Sequence, residues 1–388
     1  NDAHFDSFQR DSEAFVIGRL IKTKKDGILS HGGFHGRVLT DDSKLQEYNK
    51  YYDESKSIAS ENFEPYYSQI GFQTMIYGAI VKWFDLDISE AIILFRWLNS
   101  AMLAALFVLF CHWVREKWGT TTQILVVISI FMSCWITLFA SNPYWVTWVL
   151  FLPFVLKLII LEYFINGNTC KYTTIFWISF LLLLFKCLMN GYEYITVVLL
   201  ACLSPYVFYS IYQGWSFVRT VNCIGVAILG MGVGVILTIL ILCFQLSTVM
   251  GSLSQGFEYV VNSLAKRTHG DYRNHADIFA DSLKSSWNYV IALYLKGPVI
   301  DLSNFNIPIV FKKIHLTFSL CIFIFTLATG LLIFSNLSLK HPEYFKKQIA
   351  LAAMTWFSLL APLSWFLIFK GHSFIHTHMN YIVWYIPF

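Results

Sequence analysis

Charged residues are scarce in this sequence. They make up 13% of its 388 residues, while hydrophobic residues make up 56% and aromatic residues 18%. Soluble domains carry about 25% charged residues, so this composition is typical of a polytopic membrane protein. The formal net charge of +4 is too small to indicate a nucleic-acid-binding protein. We therefore expect a lipid bilayer, and no nucleic acid, among the partners.

Cysteine motifs are also missing. The eight cysteines are scattered, most lie inside apolar runs, and none forms a Cys-x-x-Cys pair. This pattern supports neither a disulfide framework nor a zinc site, and it is typical of small residues that face lipid or the protein core. No signal peptide is visible. We expect neither a metal nor a cofactor.

Long apolar runs account for much of the chain. A membrane-spanning helix needs about 20 mostly apolar residues, and eight runs approach or exceed this length, with a ninth beginning near Tyr381. Residues 71–84 are apolar with polar interruptions, which predicts an amphipathic helix on the membrane surface. The sequence therefore predicts an all-α polytopic membrane protein. The eight runs are 91–114, 122–141, 144–163, 173–189, 194–212, 220–246, 314–335 and 349–369.

Polar residues divide the chain into loops and membrane-spanning regions. If residues 1–89, which hold 14 of the 24 acidic residues, lie outside, then Lys and Arg are concentrated in the short inner loops, as the positive-inside rule requires. The chain starts without Met and stops inside an apolar run, so we expect it to continue at both ends, with a transmembrane helix before Asn1. The predicted parts are an extracytoplasmic loop with a catalytic acid and the surface helix (1–89), transmembrane helices (90–248), a second extracytoplasmic loop (249–312), and transmembrane helices (313–388) with an outer histidine-rich turn at 370–380.

Two acids in the first loop are candidate catalytic residues. Asp11 and Glu13 precede an apolar segment, and Asp11 or Ser12 could cap the helix that follows. The alternative is a general base near the membrane surface, since removing a proton from an acceptor hydroxyl requires a carboxylate within hydrogen-bond reach. Both interpretations of Asp11 stay open at this point.

Further candidates come from aromatic and basic residues near predicted outer loops. Tyr66 and Tyr67 follow Pro65 just before the surface helix, and Arg267 lies in a basic cluster at 266–269. Arg can bind phosphate through a bidentate fork, although a solvated loop charge explains it as well.

The histidine-rich turn offers a second candidate phosphate site. Lys370, His372 and His376 combine positive charge with hydrogen-bond donors, which suits a phosphate or pyrophosphate. The spacing of His372 and His376 also permits metal binding on a helix, but no carboxylate lies nearby in sequence. A hydrated interfacial turn is the third interpretation.

Glu193 is a further acid at the end of a predicted span. A carboxylate at membrane depth is unfavourable without a partner, and Lys186 precedes it by seven residues, or two helical turns. Pairing would require the helix to continue past Gly191. A structural role and contact with a substrate are both open.

Together these residues resemble the GT-C superfamily of membrane glycosyltransferases, in the branch of the protein O-mannosyltransferases and lipid A aminoarabinose transferases. Members have a large outer loop with an early acidic pair and an aromatic residue four positions on. Asp11 and Phe15 fit this pattern, while Ser12 stands where the second acid is found. The element from Pro65 to Phe84, followed by Arg96 in the next span, is similar to the later part of that loop, although Glu64 stands where a basic residue is common.

The resemblance covers residues 11–110 and extends to the rest through topology. It implies a bacterial enzyme that decorates a cell-surface polysaccharide or other glycan. The donor would be a polyprenyl-phosphate sugar, and a glycan, lipid or protein would be the acceptor. The acceptor hydroxyl would lose its proton to Asp11 in an inverting transfer, without a metal. The active site of this multi-pass membrane protein would face the extracytoplasmic side.

Two other functions fit parts of the sequence. A transporter or flippase of lipid-linked glycans would need charged or broken helices at the membrane midplane, and residues 91–248 contain few charges. A polysaccharide polymerase or ligase would use basic outer loops, which Arg267 and His372 suit.

Overall fold

The computed structural model of the protein describes residues 2–38, 62–166, 171–274, 277–301, 315–335, 340–375 and 380–386. Helices make up most of this part, together with two short antiparallel β-ribbons. In chain order the helices are α1 (Asp2–Asp26), α2 (Phe72–Trp83), α3 (Ile88–Trp118), α4 (Thr120–Met132), α5 (Cys134–Ala140), α6 (Trp148–Asn166), α7 (Tyr172–Asn190), α8 (Ile195–Tyr212), α9 (Phe217–Met250), α10 (Leu253–Arg267), α11 (Asp277–Lys284), α12 (Trp287–Leu295), α13 (Phe318–Phe334), α14 (Pro342–Ser358), α15 (Leu360–Ile368) and α16 (Lys370–Ile375).

The ribbons are two-stranded. Strand β1 (Gly36–Val38) pairs with β2 (Phe63–Pro65), and β3 (Pro298–Asp301) pairs with β4 (His315–Thr317). Short 3₁₀ segments lie at Ser30–Gly33, Tyr272–Asn274 and Asn380–Tyr385. The composition did not predict these ribbons, which are too short to give a clear alternating pattern.

Five helical stretches in the described part are long and apolar enough to cross a membrane. They are α3, α7, α8, α9 and the combined stretch of α14 and α15, Pro342–Ile368. Many of their large apolar side chains are exposed, such as Phe244 at 61% and Ile236 at 60%, which fits contact with lipid tails. The structure therefore confirms a mainly helical protein with helices suited to a lipid bilayer.

Several predicted spans differ from the observed helices. The predicted span 122–141 is broken between α4 and α5, because the Ser133 hydroxyl accepts a hydrogen bond from the backbone of Ile136 and starts a new helix. The predicted span 144–163 begins only at Trp148, and 349–369 is interrupted at Leu359. Near Tyr381 the described residues form a buried 3₁₀ helix instead of the start of a ninth span.

The largest difference concerns the first predicted loop. Residues 12–23 lie in α1 and are buried, except for the half-buried Phe15. Val16 and Leu20 belong to the same apolar core as Phe95 of α3. The segment is therefore helical and packs against the helical body, while its predicted place in an extracytoplasmic loop stays a prediction. The expected helix start at Asp11 or Ser12 was also wrong, because α1 begins at Asp2.

The surface helix predicted over 71–84 is present as α2, but its buried face is partly polar. Gln73, Thr74 and Tyr77 are buried, whereas Trp83 and Phe84 are 78% and 71% exposed. Its polar side chains therefore contact the protein, and large apolar groups at its end face outward.

Helices α7 and α9 approach each other closely at glycine positions. A Cβ atom at Gly230 would lie 2.4 Å from the carbonyl oxygen of Phe176, and one at Gly234 would lie 3.0 Å from that of Phe180. Small residues allow such contacts between membrane helices. Gly232, on the same helix, has no neighbouring atom within 4 Å of its Cβ position.

These contacts generate a matched pair of variants. We expect Gly230→Ala to lower the free energy of unfolding by about 1–3 kcal/mol, because the added methyl overlaps a backbone atom. We expect Gly232→Ala to be neutral or to stabilise by up to about 1 kcal/mol through helix propensity. Thermal unfolding of the purified protein in detergent would measure both, and equal effects would contradict the α7–α9 contact.

Candidate functional site

A cavity of about 270 Å³ lies between α9, α10, the end of α15, the α7–α8 turn and the segment before α2. Most of its wall is apolar, including Val235, Ile239 and Leu242 of α9 and Trp365 of α15. Two charged residues also line it, Arg267 and Glu193. A mainly apolar cavity with a few converging polar groups is the usual form of a ligand site.

Arg267 is fixed by hydrogen bonds to neutral oxygen atoms. Its guanidinium donates to the backbone and side-chain oxygens of Ser263, at 3.0 and 2.5 Å. It also donates to the Tyr66 hydroxyl at 3.2 Å and to the Ser68 hydroxyl at 2.9 Å. No carboxylate in the described part of the chain forms an ion pair with it. Burial opposes the charge, but Tyr66 and Glu193 outweigh that effect and raise the pKa of Arg267.

The first β-ribbon positions the tyrosines beside Arg267. Directly after β2, the backbone N–H of Tyr66 donates to the carbonyl of His35 at 2.7 Å. Its ring lies 4.9 Å from that of Phe15 in α1. Tyr67 lines the cavity and lies edge-on to Phe34 at 5.0 Å, with Tyr259 of α10 at 5.9 Å. These contacts bring residues far apart in sequence to one end of the cavity.

Glu193 lies in the turn after α7, which ends at Asn190. The Lys186 ammonium donates to the backbone carbonyls of Gly191 and Glu193, at 2.8 and 2.5 Å. The helix therefore does not continue to Glu193, and Lys186 binds its backbone instead of its carboxylate. The carboxylate is 9% exposed and lies 3.6 Å from the Nε2 atom of His372.

Helix α16 packs closely on α10 at Gly371 and places His372 beside Glu193, behind the lining of the cavity. A Cβ atom at Gly371 would lie 2.9 Å from the carbonyl of Lys266, at the end of α10. Burial first, and then the nearby Arg267, lower the pKa of His372 to about 3. The ring is neutral at pH 7, so it does not neutralise Glu193.

Lys370 lies on the same short helix but serves another contact. Its ammonium donates to the carbonyls of Leu283 and Ser285, at 2.7 and 2.9 Å, at the end of α11. The predicted phosphate site of Lys370, His372 and His376 is therefore not assembled by the described residues. Lys370 caps a helix, His372 is neutral, and His376 lies outside the described residues.

Glu13 forms a buried ion pair. Its carboxylate is 0% exposed and accepts two hydrogen bonds from Arg96 of α3, at 2.7 and 2.5 Å. This bidentate geometry joins α1 to α3 and is the strong form of a carboxylate–arginine contact. The structure gives Glu13 a clear structural contact, while its predicted catalytic role stays a prediction.

Asp11 lies in α1, but its side chain is outside the described part. The helical backbone puts positions 11 and 15 on one face. Phe15 lies 4.9 Å from Tyr66 and 5.8 Å from Tyr144. The Ser12 hydroxyl accepts a hydrogen bond from Asn142 at 3.2 Å. This turn of α1 is therefore next to the tyrosines that contact Arg267.

The sequence analysis identified part of this site. Tyr66 and Tyr67 lie beside Arg267, and His372 lies beside Glu193, while their predicted binding role stays a prediction. Ser68, Tyr259 and Ser263 were missed because hydroxyl residues in loops and helices carry no distinctive signal. Glu193 was noticed as a costly acid, yet its expected partner was Lys186. A comparison of the chain with protein-family models, curated proteins and solved structures finds no match.

Two buried imidazoles make stability pH-dependent. Burial lowers the pKa of His35 to about 4 and that of His372 to about 3, while an unfolded histidine has a pKa of about 6.5. Below pH 6.5 the unfolded chain binds protons that the folded chain does not. Stability should therefore fall as the pH falls, by about 2 kcal/mol per ring between pH 7 and 5.

Thermal unfolding at pH 7 and pH 5 would test this dependence. His35 is fully buried and bonded to Thr74 at 3.0 Å, so His35→Gln should remove about 2 kcal/mol of the pH-dependent loss. The control is His269→Gln, at an exposed position. Identical pH profiles for wild type and His35→Gln would contradict the neutral, buried state of this ring.

Proposed function

We propose that this protein is a glycosyltransferase that takes a sugar from a polyprenyl-phosphate donor and passes it to an acceptor outside the cytoplasm. One observation carries the proposal: Arg267 lies at an apolar cavity with neutral hydrogen-bond partners and no ion pair to a described carboxylate. A cation in such a site is stabilised by an anion, and a phosphate accepts several hydrogen bonds from a guanidinium.

The surroundings of the cavity support a lipid-linked phosphate over a free one. One face of α10 lines the cavity with Tyr259, Ser263 and Arg267. The adjacent face, which shares Leu264 with the cavity wall, exposes a stripe of apolar side chains at helical spacing. The stripe is Leu253, Phe257, Val261 and Leu264, each 47–58% exposed. Such an amphipathic helix lies in the membrane interface, so a lipid tail can extend from the cavity into the bilayer.

In this proposal the leaving group is the polyprenyl phosphate. The acceptor oxygen forms a bond to the anomeric carbon of the sugar, and the bond from that carbon to the phosphate oxygen breaks. Arg267 stabilises the charge that develops on the phosphate. The hydroxyls of Tyr66 and Ser68 accept from Arg267 and so hold the guanidinium in place for the anion.

Asp11 is the proposed general base and takes the proton of the acceptor hydroxyl. Support comes from its turn of α1, where Phe15 contacts Tyr66 and Tyr144. The proposal includes a multi-pass, GT-C-like helix bundle in the cell membrane, with the site on the extracytoplasmic side. The acceptor is a glycan, lipid or protein of the cell surface.

Binding of the lipid phosphate tests the role of Arg267. We expect Arg267→Gln to weaken binding of undecaprenyl phosphate to the purified protein by at least about ten-fold, because a charge-assisted hydrogen bond is lost. Arg267→Lys should weaken binding less, since it keeps the charge but loses the fork. Titration with the lipid in detergent micelles, followed by tryptophan fluorescence, would measure the affinities.

Arg273→Gln is the matched control. Arg273 belongs to the same outer segment, but it is exposed and bonded to Asp271 at 2.6 Å, away from the cavity. Equal affinities for wild type and Arg267→Gln would contradict a phosphate site at Arg267.

Transfer assays test the base. Wild type, reconstituted with labelled polyprenyl-phosphate sugars and crude envelope acceptors, should move label from the lipid. We expect Asp11→Asn to reduce transfer by at least about 100-fold, since general-base catalysis contributes about 10²–10⁴-fold, without weakening lipid-phosphate binding. Asp281→Asn is the control, at an exposed ion pair with Lys284.

Full activity of Asp11→Asn would remove Asp11 from the mechanism. Lipid-linked glycan that crosses vesicles without release of label would favour a transporter.

A further inference from the structure

The carboxylate of Glu193 is the second charged group at the cavity, and the proposed reaction has given it no role. Its side chain is 9% exposed, and the residue lines the cavity. Lys186, which the sequence suggested as its partner, binds backbone carbonyls. The side chain is therefore held at the wall by the turn after α7, independently of any contact of its own carboxylate.

No described residue donates a hydrogen bond to this carboxylate. The nearest polar contact is the His372 Nε2 atom at 3.6 Å, which is longer than a hydrogen bond. A carboxylate that is removed from water without donors is strongly unfavourable. A ligand in the cavity that offers hydrogen-bond donors would therefore be stabilised by this carboxylate.

Glu193 and Arg267 have opposite charges and line one cavity, yet they do not form an ion pair with each other. Lys186 holds the backbone of Glu193 through a hydrogen bond. Arg267 is held separately, by hydrogen bonds to Tyr66, Ser68 and Ser263. A ligand that satisfies both must present an anion at one end and hydrogen-bond donors nearby. The volume of about 270 Å³ is close to the lower end of ligand pockets, about 300 Å³, and suits one sugar ring rather than a long glycan.

We propose that Glu193 binds a hydroxyl or ammonium group on the sugar of the donor, beside the phosphate bound by Arg267, and so selects the glycosylated lipid over the bare lipid phosphate. This inference rests on the proposed function, because it requires a polyprenyl-phosphate sugar in the cavity. Glu193 binds substrate in this assignment and takes no proton from the acceptor.

The sign of the electrostatic effect gives a sharp test. A carboxylate near the phosphate repels it, while a carboxylate bonded to the sugar attracts the donor. Glu193→Gln should therefore bind undecaprenyl phosphate at least as tightly as wild type. The same variant should bind the glycosylated lipid at least about ten-fold more weakly, through loss of charge-assisted hydrogen bonds.

The experiment measures the affinity of the full chain, in detergent micelles, for three probes: undecaprenyl phosphate, its neutral hexose conjugate and its amino-sugar conjugate with a free amine. A loss confined to the amino sugar identifies an ammonium ligand. A loss for the neutral hexose as well identifies a hydroxyl. Glu193→Asp serves as a second variant, because it keeps the charge but shortens the reach, and it should weaken the same conjugates as Glu193→Gln without tightening the bare lipid.

Glu258→Gln is the matched control, at an exposed position of α10 that does not line the cavity. Thermal unfolding would show that each variant is folded. If Glu193→Gln weakens all three probes equally, or changes none of them, the assignment of Glu193 is overturned while the phosphate site stands. If wild type binds none of the probes, the proposed function fails, and this inference fails with it.

Discussion

Three cations in the described part of the chain bind backbone oxygens at or just beyond helix ends. Arg19 donates to carbonyls that follow α1, Lys186 to carbonyls that follow α7, and Lys370 to carbonyls at the end of α11. Carbonyls at a helix C-terminus lack helical partners and carry partial negative charge, so cations stabilise them. At these three positions backbone carbonyls therefore take the place of carboxylates. Arg267, bonded mainly to hydroxyls, departs from this pattern.

The sequence predicted the long helices well and the first segment poorly. Helices α7 and α8 match their predicted spans to within one residue at either end, because a long apolar run allows few alternatives. Residues 1–89 were interpreted as a polar loop because they hold 14 of the 24 acidic residues, with a helix expected to start at Asp11 or Ser12. Glu13 and Arg19 are nevertheless buried in α1. The partner of Glu13 is Arg96, which is distant in the sequence. The partners of Arg19 are backbone carbonyls near Ser30, which any residue type can provide. No local pattern reveals that such charges are satisfied in the interior.

The site was predictable where chemistry is tied to residue type and not where it depends on geometry. An arginine and two tyrosines near an outer loop are recognisable candidates for phosphate binding. Lys370 was indistinguishable from them in sequence, although its ammonium caps a helix. The role of Glu193 depended on whether α7 ends before or after Gly191, and a one-turn difference in a helix end is beyond what a sequence pattern resolves.

Two of the four hydrogen bonds of Arg267, those to Tyr66 and Ser68, join α10 to the segment that follows β2, and the other two stay within α10. Since α10 is also the wall between the cavity and its apolar outer face, the two cannot separate without breaking the contacts to Tyr66 and Ser68. A change that breaks these two contacts therefore frees the guanidinium and this wall of the cavity together.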